Sequence, residues 1–328
     1  MSLYPQDGLD SESLLRNADT AMYRAKDVGR QCFKFFKPAM NIRAVERQKM
    51  EEELRQAIAK DELELYYQPK IDVVTGSVVG AEALLRWTHP ERGRVAPRKF
   101  IPVAEDSGVI LPIGSWVLRE ACNQAKAWLD QGLRAIPMAI NVSGIQLQDA
   151  TFLYEVLAML EEAGLPPELL ELELTESVLL QLPEHAHSAL QYLRGRGVTV
   201  SVDDFGTGYS SLSCLRRLPI DSLKIDQSFL QQMNGPPGGA AIAIAIIGMG
   251  KSLNLRVVAE GVESGKDLAF LQEYHCDEAQ GFYFSQPVSA DEFGALLRRQ
   301  AFCSDVGAWR HVRSVRALPP PKQVVEVL

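Results

Sequence analysis

Two adjacent aspartates, Asp203 and Asp204, follow a stretch of residues that has the pattern of a β-strand. Valine alternates with threonine or serine through 198–202, and a period of two residues is typical of a strand. Neighbouring side chains on an extended backbone point to opposite sides, so the two aspartates can act together only if the chain bends at the strand end. Two carboxylates held close together repel each other unless one is protonated or a cation lies between them. The pair therefore predicts either the N-cap of a following helix or a site for a hard cation such as Mg²⁺ or Mn²⁺.

Carboxylate or amide side chains also occur at several of the other strand-like segments. They are Glu82, Asn141, Glu173, Glu176, Glu260 and Gln280. Taken singly, a residue of this kind is more often a cap or a surface charge than a metal ligand. If the strands form a barrel, however, their carboxyl ends meet at the mouth where barrel enzymes bind ligands. Carboxylates that converge there cannot all stay ionised and unpaired, so the recurrence predicts a site for two divalent cations that share one bridging carboxylate.

Two cationic residues have the spacing to join this site. Lys224 lies between two apolar residues in a strand-like segment, and alternation directs it to the side of the carboxylates, although a surface lysine at a sheet edge has the same pattern. Arg86 follows Glu82 by four residues, so both lie on one strand face. A guanidinium at that position could bind a phosphate oxygen.

The segments that carry these residues alternate between strand and helix. Eight strand candidates over roughly 250 residues predict the α/β class and a parallel (β/α)₈ barrel. The first two candidates, Leu63–Pro69 and Val78–Leu85, are joined by too few residues for a crossover helix, so they are expected to form an antiparallel hairpin. The prediction is a TIM-like (β/α)₈ barrel with one antiparallel strand. The remaining candidates are Ile136–Val142, Leu169–Leu174, Val198–Asp203, Ser222–Ile225, Val257–Ala259 and Gly281–Phe284.

Composition narrows the classes of function. The chain has 328 residues, of which 46% are hydrophobic, and it can bury one large domain with an appendage. Its net charge of −8 argues against affinity for nucleic acid polymers. No apolar run approaches the roughly 18 residues of a membrane span. The five cysteines are scattered with no Cys-x-x-Cys pair, which argues against a disulfide framework or a zinc site and favours a cytoplasmic location.

Seven groups of residues, in order along the chain, resemble the motifs of EAL-domain cyclic di-GMP phosphodiesterases. They are Glu82–Trp87, Asn141–Ser143, Glu173–Glu176, Asp203–Leu212, Leu223–Asp226, Ala259–Glu263 and Gln280–Phe282. The resemblance covers residues 45–300, and so many motifs in order make it specific. It implies a barrel that uses two Mg²⁺ or Mn²⁺ ions to hydrolyse one phosphodiester bond of cyclic di-GMP, which yields linear pGpG.

The resemblance also implies a role for each matching residue. The ligands of one metal ion would be Glu82, Asn141, Glu173 and Asp203. Those of the other would be Asp203, Asp204 and Glu260, with Asp203 bridging the two ions. Lys224 would position and activate the attacking water, with Glu82 and Glu260 as its catalytic neighbours. The substrate contacts would be Gln68, Arg86 and Gln280, and Glu176 would anchor the loop Phe205–Leu212.

Two other functions are compatible with parts of this pattern. A non-catalytic receptor for cyclic di-GMP would have the same fold, but such receptors typically lack metal ligands, and this chain has the complete set. Binding without turnover would favour the receptor. An unrelated metal-dependent barrel enzyme acting on carboxylate substrates would need a different set of residues at the strand ends.

Residues 1–36 resemble the C-terminal end of a GGDEF (diguanylate cyclase) domain. They predict one helix, with Ser11 or Ser13 as N-cap and Gly29 as its end, and a short strand at Cys32–Phe36. The nucleotide-binding part of a GGDEF domain is absent from this sequence, so this remnant could not cyclise GTP. We further expect 37–60 to be a linker and first helix (Ala44–Lys60), 61–300 the barrel, and 301–328 a C-terminal tail. The resemblance also implies a homodimer and a longer parent protein with upstream GGDEF and sensory domains.

Overall fold

The computed structural model describes residues 1–27, 32–207, 215, 218–231 and 239–300. They form two compact units, one consisting of Met1–Leu63 and Trp87–Leu111 and the other of Glu64–Arg86 and the described residues from Pro112 onward. Every helix in these ranges is too short or too polar to cross a lipid bilayer. The predicted tail, 301–328, and residues 208–212 of the predicted loop lie outside the described residues.

Eight strands close into a barrel, and a ninth short strand pairs with the end of one of them. In chain order the strands are β1 (Leu63–Asp72), β2 (Val78–His89), β3 (Gly93–Val95), β4 (Met138–Asn141), β5 (Leu170–Thr175), β6 (Thr199–Phe205), β7 (Ser222–Ile225), β8 (Arg256–Ala259) and β9 (Glu278–Ala279). Around the barrel the order is β1, β9, β8, β7, β6, β5, β4, β2, and a pairing of β1 with β2 closes it. From β2 through β9 the neighbours are parallel, whereas β1 is antiparallel to β9. The predicted barrel with one antiparallel strand is therefore confirmed.

Apart from two helices that precede β1, the helices follow strands, as the alternating sequence predicts. They are α1 (Ser11–Asp27), α2 (Pro38–Ala57), α3 (Pro97–Asp106), α4 (Ile110–Asp130), α5 (Gly144–Gln148), α6 (Phe152–Ala163), α7 (Glu176–Leu180), α8 (Glu184–Gly195), α9 (Gln227–Gln231), α10 (Gly239–Ser252), α11 (Gly265–Glu273) and α12 (Ala290–Gln300). Three of them, including α12 with Ser289 and Glu292, begin with a capping box, in which the N-cap serine and the third helical residue satisfy each other's backbone N–H. Ser143 caps α5 immediately after β4, and Ser264 caps α11 after the loop that follows β8.

The inner face of the barrel is polar, unlike the layers of branched apolar side chains that usually fill such barrels. In β5 the leucines alternate with Glu171 and Glu173, and both glutamates accept hydrogen bonds from the Lys70 ammonium group of β1. Lys224 of β7 donates to Glu82 of β2. Because β7 and β2 are not neighbours around the barrel, this contact crosses its interior.

Several predicted boundaries differ from the structure, most of all at three elements. The last strand is Glu278–Ala279 and not Gly281–Phe284, because the backbone N–H groups of residues 284 and 285 both donate to the Gly281 carbonyl and form a turn. Cys32–Phe36 has no regular secondary structure. The helix expected from Ala44 begins six residues earlier, at Pro38, where proline suits the first helical turn because its missing N–H would have no partner there.

Candidate active site

The backbone bends at the two aspartates, as their joint action requires. Asp204 has a φ of 53°, in the left-handed region, and the pairing of β6 with β7 shifts register between Val202 and Phe205. Irregularities of this kind redirect side chains at the ends of strands. One carboxylate oxygen from each of Asp203, Asp204 and Glu260 consequently lies within 4.8 Å of the other two.

Lys224 lies at the centre of a ring of carboxylates and is itself buried. Its ammonium nitrogen is 2.6 Å from Glu173 Oε2 and 2.6 Å from Glu260 Oε1. It is 3.3 Å from both Glu82 Oε2 and Asp203 Oδ1. We call these five residues the Lys224 cluster. They come from five strands or strand ends, so the barrel geometry assembles them.

Amide side chains complete the hydrogen bonding of Glu82. Asn141 Nδ2 donates to Glu82 Oε1 at 2.8 Å, and Gln280 Nε2 donates to Glu82 Oε2 at 2.7 Å. Gln280 Nε2 also donates to Gln68 Oε1 at 2.9 Å. The amide oxygen of Gln280 is buried and accepts no hydrogen bond from the described residues.

A cavity of about 260 Å³ opens beside these groups. It is lined by residues of the Lys224 cluster, by three glutamines that include Gln68 and Gln280, and by the exposed ring of Phe282. Gly281, next to Gln280, approaches the Val262 backbone so closely that a Cβ would lie 2.2 Å from the carbonyl oxygen. A larger residue there would displace Gln280 from the cavity.

The carboxylates differ in how readily they ionise. Burial opposes the ionisation of Glu173, but the ammonium groups of Lys224 and Lys70 outweigh it and lower the pKa of Glu173 to about 2. Burial, with the Asp203 charge, raises the pKa of Asp204 to about 6. Burial also dominates at Glu260, where it outweighs the attraction of Lys224 and raises the pKa to about 8. Burial and the Glu173 charge raise the pKa of Glu82.

The donor set fits a hard divalent cation. Asp203, Asp204 and Glu260 offer carboxylate oxygens, which are the ligands that Mg²⁺ and Mn²⁺ prefer. The pKa values of Asp204 and Glu260 are raised because their charges are crowded and partly buried, and an added cation would favour their ionised forms. This acidic group can therefore hold a metal ion.

Glu176 is buried at the start of α7 and contacts the chain just beyond the aspartates. Its Oε2 accepts a hydrogen bond from the Gly206 backbone N–H at 2.9 Å. Gly206 has a φ of 96°, and a Cβ there would lie 3.0 Å from the Phe229 ring. The glycine therefore permits both the backbone turn and the contact with Glu176.

Arg86 is one of the predicted site residues that do not line the cavity. Its guanidinium carbon is 5.7 Å from the centre of the Tyr66 ring, and it donates to the Leu85 carbonyl. It is not among the described residues that line the cavity.

Sequence reasoning missed two buried residues beneath the Lys224 cluster, Lys70 and Glu171. Lys70 Nζ is 2.7 Å from Glu173 Oε1 and 3.1 Å from Glu171 Oε1. The signal was present, because Lys70 follows Gln68 by two residues and Glu171 precedes Glu173 by two, which places each pair on one strand face.

Comparison with protein families gives a match to the EAL domain at residues 51–287. The chain is 43% identical over 297 residues to the bifunctional diguanylate cyclase/cyclic di-GMP phosphodiesterase MucR of Pseudomonas aeruginosa, which covers 90% of this chain and 43% of that protein. It is 42% identical over 299 residues to the cyclic di-GMP phosphodiesterase PdeR of Escherichia coli, which covers 91% of this chain and 45% of that protein. The chain thus spans less than half the length of these curated relatives.

Solved structures give the same relationship. The P. aeruginosa MucR phosphodiesterase in complex with c-di-GMP is 42% identical, with a TM-score of 0.73, and the match covers 75% of this chain and 99% of that one. The EAL domain of Mycobacterium smegmatis DcpA is 39% identical, with a TM-score of 0.63, and covers 73% and 98% of the two chains.

Proposed function

The chain belongs to the EAL domain family, and we propose that its barrel is a metal-dependent phosphodiesterase that hydrolyses cyclic di-GMP to linear pGpG in bacterial second-messenger signalling. The observation that carries the proposal is the convergence of Glu82, Glu173, Asp203 and Glu260 on Lys224 beside an open cavity. Support for the substrate comes from the relatives named as cyclic di-GMP phosphodiesterases and from the c-di-GMP complex of the MucR domain.

We propose that two divalent cations, Mg²⁺ or Mn²⁺, bind among the carboxylates. One would be held by Glu82, Asn141, Glu173 and Asp203, and the other by Asp203, Asp204 and Glu260. The grouping of the last three carboxylates supports the second set. When bound, such cations neutralise phosphate charge and make a water molecule more acidic.

The residues of the chain would orient the substrate and manage the proton. A water oxygen forms a bond to one phosphorus, the bond from that phosphorus to a ribose oxygen breaks, and the ring opens to the linear dinucleotide. Lys224, whose pKa is raised because its carboxylate neighbours outweigh its burial, remains an ammonium group that can position the water. Glu82 and Glu260 are the carboxylates we expect to take up the proton that the water loses, and the ribose oxygen that leaves the phosphorus takes up a proton in turn.

The side-chain amides of two glutamines would hold the substrate. Gln68 and Gln280 both line the cavity and donate or accept hydrogen bonds without adding charge. Arg86 would contact a phosphate from the edge of the site. Glu176 would anchor the chain after the aspartates through Gly206, and so keep Asp203 and Asp204 in place.

A turnover assay tests the proposal. The purified chain is incubated with cyclic di-GMP and Mn²⁺, and pGpG is followed by chromatography beside the MucR phosphodiesterase domain as a positive control. We expect pGpG in the presence of Mn²⁺ and none after chelation or in Glu82→Ala. Binding of cyclic di-GMP without pGpG, while the control turns over, would instead support a receptor.

The domain organisation outside the barrel is inferred from the relatives. We propose that residues 1–36 are the end of a GGDEF domain, that 37–60 link it to the barrel, and that the parent protein carries upstream cyclase and sensory segments. The name of the bifunctional relative supports this, as does an alignment with it that is longer than the EAL match. Homodimerisation, a cytoplasmic location and a loosely held tail at 301–328 stay predictions.

A further inference from the structure

Lys70 is buried inside the barrel, below the cavity and out of contact with solvent. It lies on β1 and forms the Lys70 cluster with Glu171 and Glu173 of β5. Moving charges out of water is costly, and apolar residues of similar volume often give equal or greater stability than a buried ion pair. Stability alone is therefore a weak reason for these charges, and a positional role is the better explanation.

Glu173 belongs to both clusters and is held from two sides. Its Oε1 is 2.7 Å from Lys70, and its Oε2 is 2.6 Å from Lys224. The carboxylate cannot turn without breaking one of these charged hydrogen bonds. Its oxygens thus have different tasks: one is committed to Lys70 and the other faces the Lys224 cluster.

Lys70 is itself held firmly. Its aliphatic stem packs against Gly80 of β2, where a Cβ would lie 3.3 Å from Lys70 Cδ. Its ammonium group also contacts Glu171, and the Ser222 hydroxyl lies 3.4 Å from the same glutamate oxygen. Glu171 supplies a second negative charge for Lys70, so Glu173 keeps charge to offer to the Lys224 cluster.

We propose that Lys70 is a positioning residue for the cation site: it engages Oε1 of Glu173 so that Oε2 alone is presented to the Lys224 cluster, while Glu171 balances the charge of Lys70. The inference rests on the proposed function, in which Glu173 is a metal ligand. Groups that orient a ligand from behind typically account for about 10–100-fold in metal affinity.

The test measures Mn²⁺ binding directly. Lys70→Met together with Glu171→Met removes the ammonium group and the carboxylate that would otherwise be left unpaired, so the double variant is expected to fold. Mn²⁺ affinity is measured from the electron paramagnetic resonance signal of free Mn²⁺, without substrate. We expect about 10-fold weaker binding than in the unaltered chain. In the turnover assay, the Mn²⁺ concentration that gives half the maximal rate should rise by a similar factor. The maximal rate at saturating Mn²⁺ should change less.

Two control variants identify the cause of a loss of Mn²⁺ affinity in the double variant. Glu171→Met alone keeps the contact between Lys70 and Glu173, so it should bind Mn²⁺ within about threefold of the unaltered chain, well inside the loss expected from the double variant. Arg194→Met breaks an ion pair with Asp221 elsewhere in the same unit and should leave Mn²⁺ affinity unchanged. Unchanged affinity in the double variant would overturn the proposal, and so would an equal loss in Glu171→Met alone.

Two further outcomes keep the test decisive. If the unaltered chain binds no Mn²⁺, the proposed metal site fails and the role of Lys70 fails with it, which differs from a loss confined to the variants. If the double variant does not fold, Gly80→Ala displaces the Lys70 stem with every charge retained. It must then weaken Mn²⁺ binding more than Gly248→Ala, where a Cβ would meet no atom within 4 Å; equal affinities would overturn the proposal.

Discussion

Two buried lysines share one glutamate inside the barrel, yet their surroundings differ. The carboxylates around Lys224 include Asp203 and Glu260, whose side chains are 14% and 20% exposed. Those around Lys70 are Glu171 and Glu173, at 4% and 0%. A carboxylate with an exposed edge can meet a ligand that enters from the cavity, whereas Glu171, which contacts Lys70 and Ser222, is enclosed. The comparison suggests that the Lys224 cluster performs chemistry and the Lys70 cluster supports it.

The largest effect on turnover should come from removing Lys224 from the Lys224 cluster. Lys224→Met deletes the only cation among the described residues within 4.0 Å of both Asp203 and Glu260, and turnover at saturating Mn²⁺ should fall about 10³-fold. Mn²⁺ affinity should be at least that of the unaltered chain, because a competing positive charge is lost. The two lysines would therefore affect Mn²⁺ binding in opposite directions, and a similar loss in both variants would refute the comparison.

Asp204→Asn tests the group of three carboxylates beside the Lys224 cluster. It removes one of three carboxylates that lie within 4.8 Å of one another, so Mn²⁺ affinity at that site should fall about 100-fold or more, since a ligand should matter at least as much as the groups behind it. Titration calorimetry with Mn²⁺ gives the affinity. Asp130→Asn, which alters an exposed ion pair with Lys126, is the control and should bind normally.

Glu176→Ala should have an intermediate effect. It removes the acceptor of the Gly206 N–H, which should loosen the chain after the aspartates and lower Mn²⁺ affinity about 10-fold, while thermal unfolding stays cooperative. Glu176→Gln keeps an oxygen that can accept this hydrogen bond and should recover most of the affinity. Equal affinity in the alanine variant and the unaltered chain would show that the contact does not support the metal site.

Gly80→Ala should produce the smallest effect of the four variants, a small loss of stability. The added methyl group would meet the stem of Lys70, which is held at its far end by two glutamates, and such overpacking should lower the free energy of unfolding by about 1 kcal/mol. Urea denaturation measures this. Gly248→Ala, within α10 and in open space, should be neutral or stabilising, and a similar loss in both variants would mean that the Lys70 stem is free to move.

Much of the architecture could be predicted because strand periodicity is a local property. Alternation in 222–225 was enough to direct Lys224 towards the carboxylates, and the short connection after β1 was enough to predict that this strand is antiparallel. The last strand was misplaced because Gly281–Phe284 has the aromatic content of a strand, while its backbone forms a turn. Short strands of two residues carry too little pattern to be found.

The identity of the acidic and amide groups, and the strand faces that carry them, were set by the amino-acid sequence alone, because side-chain alternation needs no knowledge of distant segments. Only the tertiary structure decided that Glu173 is divided between two lysines. In the sequence, Glu173 is 103 positions from Lys70 and 51 positions from Lys224. No local pattern encodes which oxygen of Glu173 faces which ammonium group. Closure of the barrel brings them together, since a buried charge is stable only where its partners are within hydrogen-bond distance.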